Sequence, residues 1–98
     1  SIISVPSYMR DARRLVIGGR VQGVGFRYFA QEIAVREGVT GWVRNRSDGS
    51  VEVYIEGEAD TVTRVERLLR RGPPSARVDD VHVEIEQPTG QHSEFVIK

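Results

Sequence analysis

The chain contains no cysteine, which removes disulfides, thiolate metal sites and any phosphocysteine intermediate together. That composition suits a reducing compartment, and a cytoplasmic location is the expectation. Charge of one sign is also missing: fourteen basic residues balance fourteen acidic ones, for a formal net charge of zero. No global field is available to hold a polyanion such as DNA, so a small, local phosphate fits better than a long one. Long hydrophobic runs are absent, and neither a membrane span nor the apolar core of a signal peptide can be read. Neither nucleic acid nor membrane is expected as a partner. The two histidines, His82 and His92, lack metal-ligand spacing and read as surface residues. No metal and no cofactor are expected, and there is no repeat or low-complexity tract.

What is present fits one domain, since 98 residues suffice for a single hydrophobic core without staples. Residues Ser1 to Ala12 mix Pro6, serines and charges without periodicity, and the expectation is a mobile or loosely docked extension ahead of a domain spanning 13–98. Arg13 to Gly18, with Leu15-Val16-Ile17, reads as a strand. Apolar residues at 26, 29, 30, 33 and 34 trace one face of a helix from Phe26 to Glu37, closed by Gly38. Val39 to Arg46 and the alternating Val51-Glu52-Val53-Tyr54-Ile55-Glu56 form a hairpin about the turn Ser47-Asp48-Gly49-Ser50. A second helix follows Gly57, with Glu58 and Asp60 in its first turn and Arg67, Arg70 and Arg71 near its end, each sign matching the macrodipole. Val62, Val65, Leu68 and Leu69 supply its buried stripe, and Gly72-Pro73-Pro74 ends it. Val81, Val83 and Ile85 alternate with polar residues in a fourth strand, where Asp79-Asp80 breaks the phase as a bulge would. Residues 88–93 are a loop, and Phe95 to Lys98 a short terminal strand.

The order strand, helix, strand, strand, helix, strand predicts an α+β fold, the ferredoxin-like βαββαβ sandwich, with both helices on one face of an antiparallel sheet. In that arrangement the first two strands run parallel with the third between them, so their C-terminal ends share one edge, roughly 10 Å apart. The stretch Gly19-Arg20-Val21-Gln22-Gly23-Val24-Gly25-Phe26-Arg27 leaves the first of those ends and enters a helix. Its glycines permit φ > 0 and let a ligand approach main-chain N–H groups. The helix start adds unpaired N–H groups and the positive end of its dipole, which together favour a phosphate. Arg27 falls in the first turn, and its planar fork can hold two phosphate oxygens. The loop is not a Walker A sequence, because the Gly-Lys-Ser/Thr ending is missing. Asn45 ends the second strand, where by itself it reads equally as a turn residue before Ser47-Asp48-Gly49.

Three blocks, Gly19 to Tyr28, Gly41-Trp42-Val43-Arg44-Asn45 and Asp48-Gly49-Ser50-Val51-Glu52, closely resemble the signature blocks of the small acylphosphatases. Arg71-Gly72-Pro73-Pro74 and the ending Phe95-Val96-Ile97-Lys98 are similar to that family as well, so the resemblance covers about residues 13 to 98. It implies metal-independent hydrolysis of the carboxyl–phosphate bond of acyl phosphates, with inorganic phosphate as product and competitive inhibitor, by a monomer. It also implies that Arg27 binds the phosphate, that the main-chain N–H groups of Gln22, Gly23, Val24, Gly25 and Phe26 face it, and that Asn45 orients the attacking water. An amide is no general base, so such chemistry has to run on positioning and charge stabilisation. Acyl phosphates meet that condition: their carboxylate leaving group has a conjugate-acid pKa of about 4, judged from Asp and Glu, and needs no proton.

Two other classes compete. A noncatalytic anion-binding or accessory domain of acylphosphatase type would keep the cradle without turnover. An RNA-binding ferredoxin-like module would stack bases on Trp42 and Tyr54, but the aromatic signature on the third strand is absent. Arg64, Arg67, Arg70 and Arg71 read better as a solvated helix face than as a nucleic-acid stripe.

Overall fold

In the computed structural model, which describes residues 9–98, strand β1 (Arg10–Arg20) is followed by helix α1 (Phe26–Glu37) and strands β2 (Thr40–Asn45) and β3 (Val51–Glu58). Helix α2 (Ala59–Arg71) then leads to β4 (Arg77–Glu86) and β5 (Phe95–Ile97). The sheet order is β4-β1-β3-β2-β5, so β3 does lie between β1 and β2. The first four strands pair antiparallel, as expected. The fifth departs from an all-antiparallel sheet: β5 joins the free edge of β2 in parallel, Phe95 opposite Gly41 and Ile97 opposite Val43.

One apolar rung runs across the whole sheet, with Val83 opposite Leu15, Leu15 opposite Val53, Val53 opposite Val43 and Val43 opposite Ile97. Because side chains alternate along a strand, this rung and its neighbours at Ile17, Val51 and Ile55 face the helices. There Phe26, Ala30, Ile33 and Ala34 of α1 and Val62, Val65 and Leu69 of α2 close a fully buried core. No helix among the described residues is long and apolar enough to cross a membrane.

Interstrand pairing carries β1, β3 and β4 past their local signals, while β2 loses Val39 and Arg46 and β5 loses Lys98 relative to the sequence reading. Strand β1 begins at Arg10, and Ala12 is wholly buried, so the last part of the expected loose extension is sheet paired to Gly57 and Glu58. The remainder of that extension, 1–8, lies outside the described residues. Glu58 consequently ends β3 and precedes α2 in an extended conformation. Strand β4 starts at Arg77, because Arg77 and Val78 pair with Arg20 and Gly19 beyond a register shift that passes over Asp79. The bulge signalled by Asp79-Asp80 is therefore real.

The face away from the helices is not open. Strands β4 and β5 occupy opposite edges, four interstrand spacings or roughly 19 Å apart. The eight residues 87–94 joining them, with a reach of roughly 26–29 Å, can cross that face. Buried Glu56 on β3 fastens the crossing: it accepts hydrogen bonds from the Tyr54 hydroxyl (2.7 Å), the Thr89 N–H (3.1 Å) and hydroxyl (3.2 Å), and the Gly90 N–H (2.6 Å). His92 packs on Tyr54 at 5.2 Å, so of the two histidines only His82 is an exposed residue as expected. Tyr54 stacks on Trp42, whose ring also carries the Lys98 ammonium at 4.5 Å. Arg14 bridges Glu52, Glu84 and Glu86 beside them. Burial would push the Glu52 carboxyl up, but Arg14 and Arg44 hold it below the usual carboxylate range. Among the described residues the aromatic pair is thus engaged with Lys98 and His92 rather than left as a bare stacking surface.

Candidate active site

Strand β1 delivers the chain to the C-terminal edge of the sheet, where Val21, 1% exposed, anchors the start of the loop in the core. Gly23 and Gly25 then adopt φ of 74° and 80°, the left-handed region that glycine enters without penalty. Gly25 stands at the N-cap of α1 with no side-chain oxygen to cap the helix, and no acidic residue lies in the first turn. The first N–H groups of α1 thus keep no intrahelical partner. A Cβ placed on Gly23 or Gly25 would meet nothing within 4 Å, so both peptides are open to an incoming ligand.

A pocket of about 90 Å³ opens over this turn, lined by Val21, Gly23, Gly25, Phe26, Arg27, Tyr28 and Asn45. Two sequence-separated blocks therefore meet in one cavity. Asn45 comes from the end of β2, level with Val51 and Ile17 in the sheet, and its exposed side chain makes no hydrogen bond among the described residues. Arg27 differs from Arg13, Arg14 and Arg44, each held by a carboxylate. Among the described residues no Asp or Glu side chain pairs with it, and its one hydrogen bond is a long 3.5 Å donation to the main-chain oxygen of Lys98. Its guanidinium therefore lines the pocket without a side-chain counter-ion.

Of the loop residues expected to face a phosphate, Gly23, Gly25 and Phe26 line the pocket, whereas Gln22 and Val24 do not. The Val24 side chain packs against the core, and its carbonyl accepts from the Ser75 hydroxyl at 2.7 Å. Gln22 turns toward the β2–β3 turn, donating to the carbonyls of Arg46 and Ser50. Val21 and Tyr28 were not singled out as pocket lining, nor Ser75 as a contact of the loop. Tyr28 could have been found from its place beside Arg27 in the first helical turn, but nothing local signals the contact of Ser75 across the fold. A larger hollow of about 320 Å³ lies nearby, but Asp48 and Asp80 line it, and their charge opposes a phosphate.

The pocket can bind an anion and position a water. No carboxylate or imidazole lines it, and Tyr28 is its one lining side chain with a hydroxyl.

The acylphosphatase family model matches residues 13–97. The chain belongs to the acylphosphatase family. It is 51% identical to the acylphosphatase of Nitrobacter hamburgensis over 86 residues, covering 88% of this chain and 84% of that protein. Identity to the acylphosphatase of Pyrobaculum arsenaticum is 52%, with 85% and 88% covered. In structure it is similar to the acylphosphatase from Bacillus subtilis, with a TM-score of 0.86, 38% identity, and 92% of this chain and 99% of that one covered. It also superposes on full-length HypF in its phosphate- and nucleotide-bound form (TM-score 0.83, 32% identity), covering 92% of this chain but 12% of that one. The fold is thus the ferredoxin-like α+β sandwich of acylphosphatases, and the protein is an enzyme that hydrolyses acyl phosphates, its small-molecule substrates.

Proposed function

We propose that hydrolysis proceeds by in-line attack of a water oriented by Asn45 on a phosphoryl group held by the 22–27 loop and Arg27, without a metal. What supports this reading is one juxtaposition: a guanidinium with no Asp or Glu partner, uncapped helix N–H groups and an exposed amide share a pocket that no carboxylate or imidazole side chain lines. The N–H groups and Arg27 neutralise charge on the equatorial oxygens. The Asn45 amide both accepts from and donates to the water, fixing its lone pair toward phosphorus. The P–O bond to the acyl oxygen breaks, the carboxylate leaves unprotonated, and the water's proton passes to solvent.

In this reading the site is complete within one chain and the protein acts as a monomer. Inorganic phosphate, keeping the contacts of the transferred group, is a product and a competitive inhibitor. The absence of cysteine favours a reducing, cytoplasmic setting.

The test is hydrolysis of benzoyl phosphate in the presence of a chelator. Asn45→Ala is expected to lose turnover while phosphate still inhibits it, and Arg27→Ala to lose both. Undiminished turnover in Asn45→Ala would place the water elsewhere, and undiminished phosphate inhibition in Arg27→Ala would remove its clamp role. A second reading, an accessory domain of a larger protein, draws on the superposition with a small part of HypF. It predicts phosphate binding with negligible turnover by the isolated chain.

A further inference from the structure

We propose that the side chain of Gln22 is a positioning residue that holds Asn45 in register with the phosphate loop. The inference rests on the water-orienting role of Asn45 and extends it to a residue whose side chain lies outside the pocket.

The two halves of the site reach it by different routes. The loop hangs from the end of β1, and Asn45 from the end of β2, with the whole of β3 between them. The last ladder pair of β2 is Asn45 with Val51. Past it the chain makes the turn 46–50, closed by Arg46 N–H to the Ser50 carbonyl (2.9 Å) and Gly49 N–H to the Arg46 carbonyl (3.2 Å). A strand end beside a tight turn is the part of a sheet most prone to fray, and Asn45 has no side-chain bond of its own to resist it.

Gln22 supplies the missing tie. Its single amide nitrogen donates to the Arg46 carbonyl at 2.7 Å and the Ser50 carbonyl at 2.9 Å. Those are the same two oxygens that close the turn, and one belongs to the residue next to Asn45. An amide NH₂ has two hydrogens in one plane, so both are spent on a fixed pair of acceptors and the torsions of Gln22 are set by them. Asp48 stiffens the same turn by accepting from the Ser50 N–H (3.0 Å) and hydroxyl (2.6 Å), which hold its carboxyl below the usual range. The loop backbone that would hold the phosphate and the strand end that would hold the water therefore move as one piece. In-line attack is sensitive to the distance and angle between those two groups, and a misplacement of about 1 Å costs roughly 100-fold in rate.

The experiment is a double-mutant cycle on benzoyl phosphate hydrolysis with Gln22→Met, which keeps volume and removes both donors, and Gln22→Ala as a second variant. In the otherwise native chain, kcat is expected to fall roughly 10- to 100-fold, while inhibition by inorganic phosphate changes less than about threefold because the loop N–H groups and Arg27 remain. In the Asn45→Ala background the same substitutions are expected to cost less than about twofold, since a misaligned amide cannot matter once it is gone. A role limited to keeping the loop folded would lower phosphate affinity along with rate, and would cost as much with Asn45→Ala as without it. Either result overturns the proposal, as does native kcat in Gln22→Met. Native turnover in Asn45→Ala alone would refute the water-orienting reading, and the role of Gln22 with it. Native turnover in Gln22→Met beside an inactive Asn45→Ala would refute Gln22 alone.

Discussion

Replacing Glu56 by glutamine tests whether the covered face of the sheet depends on a buried negative charge. Glu56 is 1% exposed and has no cation within salt-bridge distance among the described residues; four donors from Tyr54, Thr89 and Gly90 take its place. Burial would push its carboxyl up, yet the Tyr54 hydroxyl, the two N–H groups and the Thr89 hydroxyl hold it below the ordinary value. The hydrogen bonds thus outweigh desolvation, and neutralising the group removes a net stabilising interaction. In the Glu56→Gln variant the one remaining oxygen can still accept from Tyr54 and Thr89, without charge assistance. The new amide nitrogen then faces the Gly90 N–H, donor against donor, where the carboxylate made its shortest contact. Weakened bonds and one opposed donor pair together cost about 3 kcal/mol. For a domain of this size that corresponds to a fall in Tm of about 12–24 °C, measurable by thermal unfolding.

The same variant carries two internal controls. Glu56 pairs with Thr40 and Val51 with Asn45, so the substitution lies five residues along β3, about 17 Å from the site, and kcat and KM should stay within about twofold. The carboxyl is depressed in the folded state, so its contribution is complete above the unfolded value near 4.5 and is lost as pH falls through the folded value. The gap in stability between Glu56→Gln and the native chain should therefore close on acidification. Tyr54, pushed up to about 12 by burial and by Glu56 itself, remains a donor throughout. A Tm within about 2 °C of native at neutral pH, or a gap that widens in acid, would refute the reasoning.

Gly41→Ala should cost more than about 3 kcal/mol in urea unfolding, because φ is +137° and the added Cβ would stand 1.9 Å from the Tyr54 carbonyl oxygen, which is backbone and cannot yield. Gly23→Ala should cost only about 1–2 kcal/mol, the left-handed penalty alone, since its Cβ meets nothing, but phosphate inhibition should weaken as the methyl enters the cradle. Arg27→Lys should keep inhibition by phosphate measurably better than Arg27→Ala and still lose at least about tenfold in kcat, because a point charge replaces a planar fork. Simple alkyl phosphates should turn over far more slowly than benzoyl phosphate at every pH, since the pocket offers no carboxylate or imidazole to protonate a poor leaving group.

Local chemistry was readable without coordinates. Glycine spacing, the arginine in the first helical turn and the 3.6-residue stripe from Phe26 give the strand-to-helix turn proposed as an anion cradle, because backbone torsions and helix dipoles depend on neighbours in sequence. Asn45 could be singled out only through the family pattern, since a polar residue before a turn looks the same whether or not it faces a ligand. What the tertiary structure decided is everything that depends on partners distant along the chain. Strand β1 reaches back to Arg10 because Gly57 and Glu58 wait opposite it. The alternation through Glu52, Tyr54 and Glu56 follows the pattern of a half-exposed strand, yet all three are buried: Tyr54 and Glu56 meet His92, Thr89 and Gly90 of the connection between opposite sheet edges, and Glu52 meets Arg14 and Arg44. Gln22, read as one more peptide in the phosphate loop, spends its side chain on two carbonyls of another hairpin. Hydrogen bonds between strands and across loops join residues tens of positions apart, and no window of sequence contains both ends.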